Sequence, residues 1–348
     1  MRRLVALVAA VYCLGAAPTP VALQVLLADT PAPELSDYRL FMDAAGRKPK
    51  PELTPYSLNT PLFSDYAEKL RFAYLPAGTH ASYTNTGVLD FPIGAALIKT
   101  FAYPADLRRP DSKLRYVETR LLIRKSEGWT AQTYVWNRDQ TRAVLKRAGL
   151  RIPIQVTGQA GERLLIDYAV PNANQCKECH ALNKVMTPIG PKARNLNGDF
   201  AYGRHRENQL AHWTRTGLLI GAPAAGDAPR AAVWNDQKAP VADRARAYLD
   251  GNCGHCHNPA GMASNSGLFL NLETENPSQQ GVGKRPVAAG RGSGDLSFDI
   301  APGQPDASIL LYRMASREPG VMMPELGRSL THKQGLELIR QYLAAMPR

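Results

Sequence analysis

Two five-residue runs carry the chemistry of this 348-residue chain: Cys176-Lys177-Glu178-Cys179-His180 and Cys253-Gly254-His255-Cys256-His257. Cys-x-x-Cys-His is the attachment pattern of c-type haem. Two thiols add across the two vinyl groups of one porphyrin. The His that follows is then held beneath the iron as its proximal ligand. The spacing predicts two covalently bound c-type haems, one on Cys176 and Cys179 and one on Cys253 and Cys256. His180 and His257 are the expected metal ligands. A pair of disulfides, a thioredoxin-like redox pair or a zinc site compete for the same thiols. Neither disulfides nor a redox pair require a His after the second Cys, and here it occurs twice, while a zinc site would need the two pairs to converge on tetrahedral ligands.

Iron in such proteins commonly takes a Met or a second His on its other face. For the second haem the adjacent Met322 and Met323 are the main candidates, with Met314 and Met262 behind them. Alternate side-chain direction lets only one of the adjacent pair face the haem. For the first haem the candidates are Met186, His205 and His212, and an open iron site is the fourth alternative. Met186 follows His180 so closely that reaching the opposite haem face needs a sharp wrap. His255 lies inside the second attachment loop and is expected to point outward.

The elements that must position these residues differ between the two motifs. Val241, Ala245 and Leu249 recur at helical spacing behind Pro240, so a helix over 241–251 delivers the chain into Cys253. A short helix is expected over 308–314. Thr331-His332-Lys333-Gln334 reads as a capping box before a terminal helix carrying Leu336, Ile339 and Leu343. No delivering helix is visible before Cys176, where 164–170 alternates like a strand. Helical spacing returns over 207–219. The Ala- and Pro-rich stretch 221–240 separates the two motifs, and the Gly-rich stretch 279–294 reads as a loop.

Residues 29–171 read as a β-rich domain, sandwich or barrel-like. Val117, Thr119, Leu121 and Ile123 alternate onto one face. Ser126-Glu127-Gly128 then turns the chain into 129–136. Gly158-Gln159-Ala160-Gly161 joins 152–156 and 164–170 as a hairpin. With no Cys and one His, His80, this region offers no metal-ligand set. Trp129, Tyr134 and Trp136 are expected in the core or on a sheet face. The expected fold class is therefore α+β and multidomain. It comprises a signal peptide at 1–28, the β-rich domain at 29–171, a first haem-binding region with linker at 172–239, and an α-helical domain at 240–348.

Arg2 and Arg3 precede an apolar run over 4–17 with no acid before Asp29. This is a secretory leader, with Ala28 the expected cleavage point. An uncleaved N-terminal anchor is the alternative. Cys13 falls inside the leader, where the bulky Tyr12 spoils a lipobox. Export to the periplasm suits c-type haem maturation. The chain carries a net +12, and removing 1–28 takes two Arg and leaves 40 − 30 = +10. Such a balance steers acidic redox partners and, in an exported chain, does not point to nucleic acid.

Helix, attachment motif, Met-Pro loop and closing helix follow one another over 240–348 in an order that resembles class I cytochrome c. In that family the iron ligand is typically the Met directly before Pro, which the resemblance maps to Met323. Across the mature chain, several runs resemble an uncharacterised bacterial di-haem c-type cytochrome family. They are Leu58-Asn59-Thr60-Pro61-Leu62-Phe63-Ser64-Asp65-Tyr66, Tyr134-Val135-Trp136-Asn137 and Pro188-Ile189-Gly190-Pro191-Lys192-Ala193-Arg194-Asn195-Leu196-Asn197. The resemblance implies export and, for some members, a parallel β-helix repeat protein as companion. It brings no substrate. Two functions follow: an electron carrier between redox proteins, or a peroxidase-like di-haem oxidoreductase with an open first haem.

Overall fold

The computed structural model describes residues 19–287 and 290–348. The apolar run over 4–17 and Cys13 lie outside the described residues. Among those residues, no helix is long and apolar enough to cross a membrane.

The fold is α+β, with an antiparallel sheet region followed by a helical C-terminal portion. Six strands pair in the spatial order Leu53–Pro55, Glu68–Tyr74, Ala96–Tyr103, Arg115–Lys125, Gly128–Trp136 and Ala143–Leu145. The sheet stays open, so the barrel-like expectation gives way to a sheet whose two faces are covered separately. Side chains alternate between the faces with period two. Ala96, Ile98, Leu121, Ile123, Tyr134 and Trp136 pack on one face. Leu97, Phe101, Val117 and Val135 pack on the other.

One residue breaks the expected alternation. Glu118 pairs with Phe101 and Tyr116 with Ala102, which leaves Val117 as a bulge. A bulge shifts the chain by one residue relative to its partner strand. Val117 consequently packs on the face opposite to Leu121 and Ile123, and Tyr116 takes its place among them.

The first face is covered by the N-terminal segment. Val21, Leu26, Leu35, Tyr38 and Leu40 are buried against it. The Tyr38 hydroxyl sits 2.8 Å from that of Tyr134 and donates to Gln132 Oε1 at 2.5 Å. Fully burying a side chain such as Leu26 stabilises by about 1.5–3 kcal/mol. Val21 and Leu26 belong to this core and Ala22 is buried as well, all upstream of the expected cleavage point at Ala28.

The second face has two covers with a gap between them. At one end lies the hairpin of Leu150–Thr157 and Arg163–Val170, slightly longer than the alternation indicated. It packs Ile154, Ile166 and Tyr168 on Phe101, Tyr103 and Val117. At the other end Leu196, Leu210, Trp213 and Leu219 join Ala73, Phe91 and Leu97 in one core. The stretch 172–239 thus shares its core with the sheet, and Leu219–Ile220 even pairs in parallel with Ala81–Ser82. The helix expected over 207–219 is shorter, Gln209–Arg215, because 205–208 is spent in a hairpin with 199–202.

The C-terminal portion packs Val241–Asn252, Ile309–Ala315 and Lys333–Ala344 around Leu249, Leu310, Leu338, Ile339 and Leu343. The expected capping box does not form. Thr331 donates instead to the Ala315 carbonyl, and Gln334 accepts from Tyr66. The last helix is seated by the sheet region itself: the Asp65 carboxylate accepts from the amides of Ser329 and Leu330, each at 2.8 Å.

Candidate functional site

The gap on the second sheet face is a cavity of about 670 Å³, and both cysteine motifs open onto it. Cys176, Cys179 and His180 line it together with Cys253, Cys256 and His257. The sheet supplies Leu97, Lys99, Arg120, Leu122, Ala131 and Thr133. The helical portion supplies Leu310, Met314 and the loop from Met323 to Gly327.

The first motif lies on a helix, Ala173–His180, that the sequence reading missed. Its signal was present in Asn172 and Gln175. The Asn172 side chain accepts from the amides of Asn174 and Gln175, while Gln175 accepts from the Asn172 amide. That is a capping box with Asn in place of the usual Ser or Thr. The helix ends at His180, and a two-residue turn follows with Asn183 and Lys184 at φ 49° and 65°. Paired positive φ values make the tight hairpin turn that matches strand twist. The hairpin carries Thr187 back beside His180, whose Nδ1 donates to the Thr187 carbonyl at 2.9 Å.

The second motif follows the helix Val241–Asn252, close to the expected bounds. Asn258 holds the loop of the second motif closed by donating to the carbonyls of Gly254 and His255. Gly261 is required, because a Cβ there would stand 2.2 Å from the Cys256 carbonyl oxygen. His257 Nδ1 donates to the Leu268 carbonyl at 3.2 Å.

The two histidines therefore share one arrangement. A carbonyl only accepts, so Nδ1 carries the proton and Nε2 keeps its lone pair for a metal. Burial pushes the His180 ring down to about 4 and lowers His257 as well, so both are neutral near pH 7. Burial likewise raises the thiols, to about 12 for Cys253 and for Cys256. All four motif cysteines are free of disulfides. Among the described residues, no three His, Cys, Asp or Glu side chains converge as a metal-binding cluster. Paired thiols, a carbonyl-oriented His and a largely apolar cavity suit a large, flat, covalently tethered cofactor better than a tetrahedral ion site.

The remaining ligand candidates divide cleanly. Met323 lines the cavity, as do Met314 and Met262, whereas Met322 does not. Met186 pairs with Ala181 in the hairpin after the motif and is absent from the cavity wall. His205 is largely exposed. His212 stacks on Tyr202 with centroids 3.5 Å apart and binds Glu207 alongside Arg215. Neither histidine lines the cavity: His205 sits in the hairpin of Asp199–Tyr202 and His205–Asn208, and His212 on the following helix is stacked on that hairpin's Tyr202.

His255 departs from the expected outward orientation. It lines the cavity, its Nδ1 is buried without a hydrogen-bond partner, and burial pushes the ring down to about 3. Trp129, Tyr134 and Trp136 pack in or against the sheet cores. A search of family models, curated proteins and solved structures finds no match to this chain.

Proposed function

We propose that the chain is a periplasmic di-haem c-type cytochrome that passes single electrons between redox proteins. The observation that supports this most is that both motifs open onto one cavity with each motif His oriented by a backbone carbonyl. Two c-type haems, when bound, supply one-electron redox chemistry. Cys176, Cys179, Cys253 and Cys256 would tether them. His180 and His257 would ligate through Nε2, with Thr187 and Leu268 fixing the ring tautomers. Met323 is the donor proposed for the second iron. The mostly apolar cavity walls would lower the dielectric around bound haems, which tunes the potential along with the ligands. The mature charge balance favours acidic partners, and a parallel β-helix repeat protein is a partner suggested by family resemblance alone.

A second reading, a di-haem oxidoreductase with an open first iron, gains support from the absence of Met186, His205 and His212 from the cavity wall. Exposing the reduced protein to carbon monoxide separates the two. A carrier with two six-coordinate irons binds it slowly and turns over no peroxide. Rapid binding at one haem, with peroxide consumption, establishes the enzyme instead.

A further inference from the structure

The sheet wall beside the first motif holds a row of cations with too few anions. Arg71 pairs with Lys99, Lys99 with Arg120 and Arg120 with Thr133 across four neighbouring strands. Directly paired residues share a face, and all four line the cavity. Arg71 is 8% exposed, and its Nη2 is buried with no partner. Lys99 makes no hydrogen bond or ion pair among the described residues. Its Nζ sits 4.6 Å over the Phe101 ring, with the Arg120 guanidinium 4.4 Å from the same centroid. Among the described residues only Arg120 of this row has a carboxylate, Glu118 at 2.5 Å, and the Arg120 Nε is buried and unpartnered. Glu118 Oε1 also accepts from Tyr168. Glu178 lines the cavity without pairing to the row.

Buried cations without partners are costly, so such a row implies an anion that completes it. Burial, reinforced by Arg71, Lys69 and Arg120, pushes the Lys99 ammonium well below its usual range.

We propose that Arg71, Lys99 and Arg120 form a carboxylate-binding row facing the first attachment motif. The inference rests on the haem reading of that motif. The Cys176 thiol sits against Thr133, at one end of the row. Strands are spaced by about 4.8 Å, so Lys99 and Arg71 lie two and three steps from that thiol's anchor. A porphyrin tethered by its vinyl edge at Cys176 and Cys179 carries its two propionates on the far edge, a separation of this order. The carboxylates come either from those propionates or from a small free carboxylate entering the cavity.

The test uses the mature protein with Arg71→Gln, Lys99→Met and the double variant, and Arg71→Lys as the conservative control. The exposed Arg151→Gln serves as a surface control. Haem content is read first as the pyridine haemochrome. Potentiometry and resonance Raman of the propionate bending modes follow. The row predicts two haems retained, a lowered midpoint potential at one haem and a shifted propionate band, with Arg71→Lys close to wild type. Removing a nearby positive charge favours the ferric form. Acetate added to the wild type then distinguishes the sources. A saturable response lost in the double variant identifies a free carboxylate, and no response identifies the propionates. Unchanged potentials and bands in every variant, together with no acetate response, overturn the row while leaving the haems in place. Absence of haem from the wild type overturns the haem reading, and this inference with it.

Discussion

The amide of Asn183 donates to the carbonyl of Ala260 at 2.8 Å, so the turn after the first cysteine motif is bonded directly to the loop after the second. Motifs far apart in sequence are thereby held at one cavity. Close placement is what electron exchange between two bound haems requires. It follows from two loops, one after a capped helix and one closed by Asn258, meeting edge to edge.

Met323 and Met322 give a paired prediction. Met323→Ala is expected to remove the Met–iron charge-transfer band of one haem and lower its potential, because a soft thioether favours ferrous iron. Met322→Ala is expected to leave both unchanged, since of these two only Met323 lines the cavity. Near-infrared absorption and redox titration read the result.

Asp250 joins the two motif-bearing regions. Arg194 donates to it from Nη2 at 2.9 Å and from Nε at 3.2 Å, and Lys192 stands 3.7 Å away. Burial alone raises the Asp250 carboxyl, but Lys192 and Arg194 outweigh it and hold the group below its ordinary range. Asp250→Ala leaves a buried guanidinium with only Glu273. A loss of about 3–5 kcal/mol is expected in denaturant unfolding, the usual consequence of breaking a buried pair.

His332 sets an acid-side stability loss. It stacks on Phe63 with centroids 4.2 Å apart and lies 2.9 Å from the Tyr248 hydroxyl. Burial pushes its ring down to about 4. A histidine whose folded value is depressed contributes stability that is lost as pH falls from its unfolded value near 6.5 toward the folded one. One proton gives a slope of up to about 1.4 kcal/mol per pH unit. His332→Phe is expected to flatten thermal stability over that window. An unchanged slope would show that other groups carry it.

The buried position of Leu26 predicts the mature N-terminus. If a leader is removed, cleavage is expected upstream of Val21, which keeps Val21 and Leu26 in the sheet core. N-terminal sequencing of the exported protein checks this, and a mature chain starting at Asp29 would contradict it.

The sequence made the two Cys-x-x-Cys-His runs and the helix leading into Cys253 readable, because fixed spacing and helical periodicity are local signals. It also made the hairpin around Gly158 readable. The shared cavity was not, since it depends on how the sheet face, the 172–239 region and the C-terminal helices pack. The Val117 bulge was hidden because alternation over 115–124 looks regular without the partner strand. The cation row was hidden for a similar reason: Arg71, Lys99 and Arg120 become neighbours only across strands. His205 and His212 drew attention as residue types, yet a local hairpin and a stack on Tyr202 hold them away from the cavity.

Intact-mass spectrometry tests the central claim most directly, on protein made in a host competent for c-type haem maturation. The wild type is expected to carry the added mass of two haems. The Cys176→Ser/Cys179→Ser and Cys253→Ser/Cys256→Ser variants are each expected to carry one. A wild-type chain of unmodified mass, with its four motif thiols free or paired as disulfides, would contradict the account.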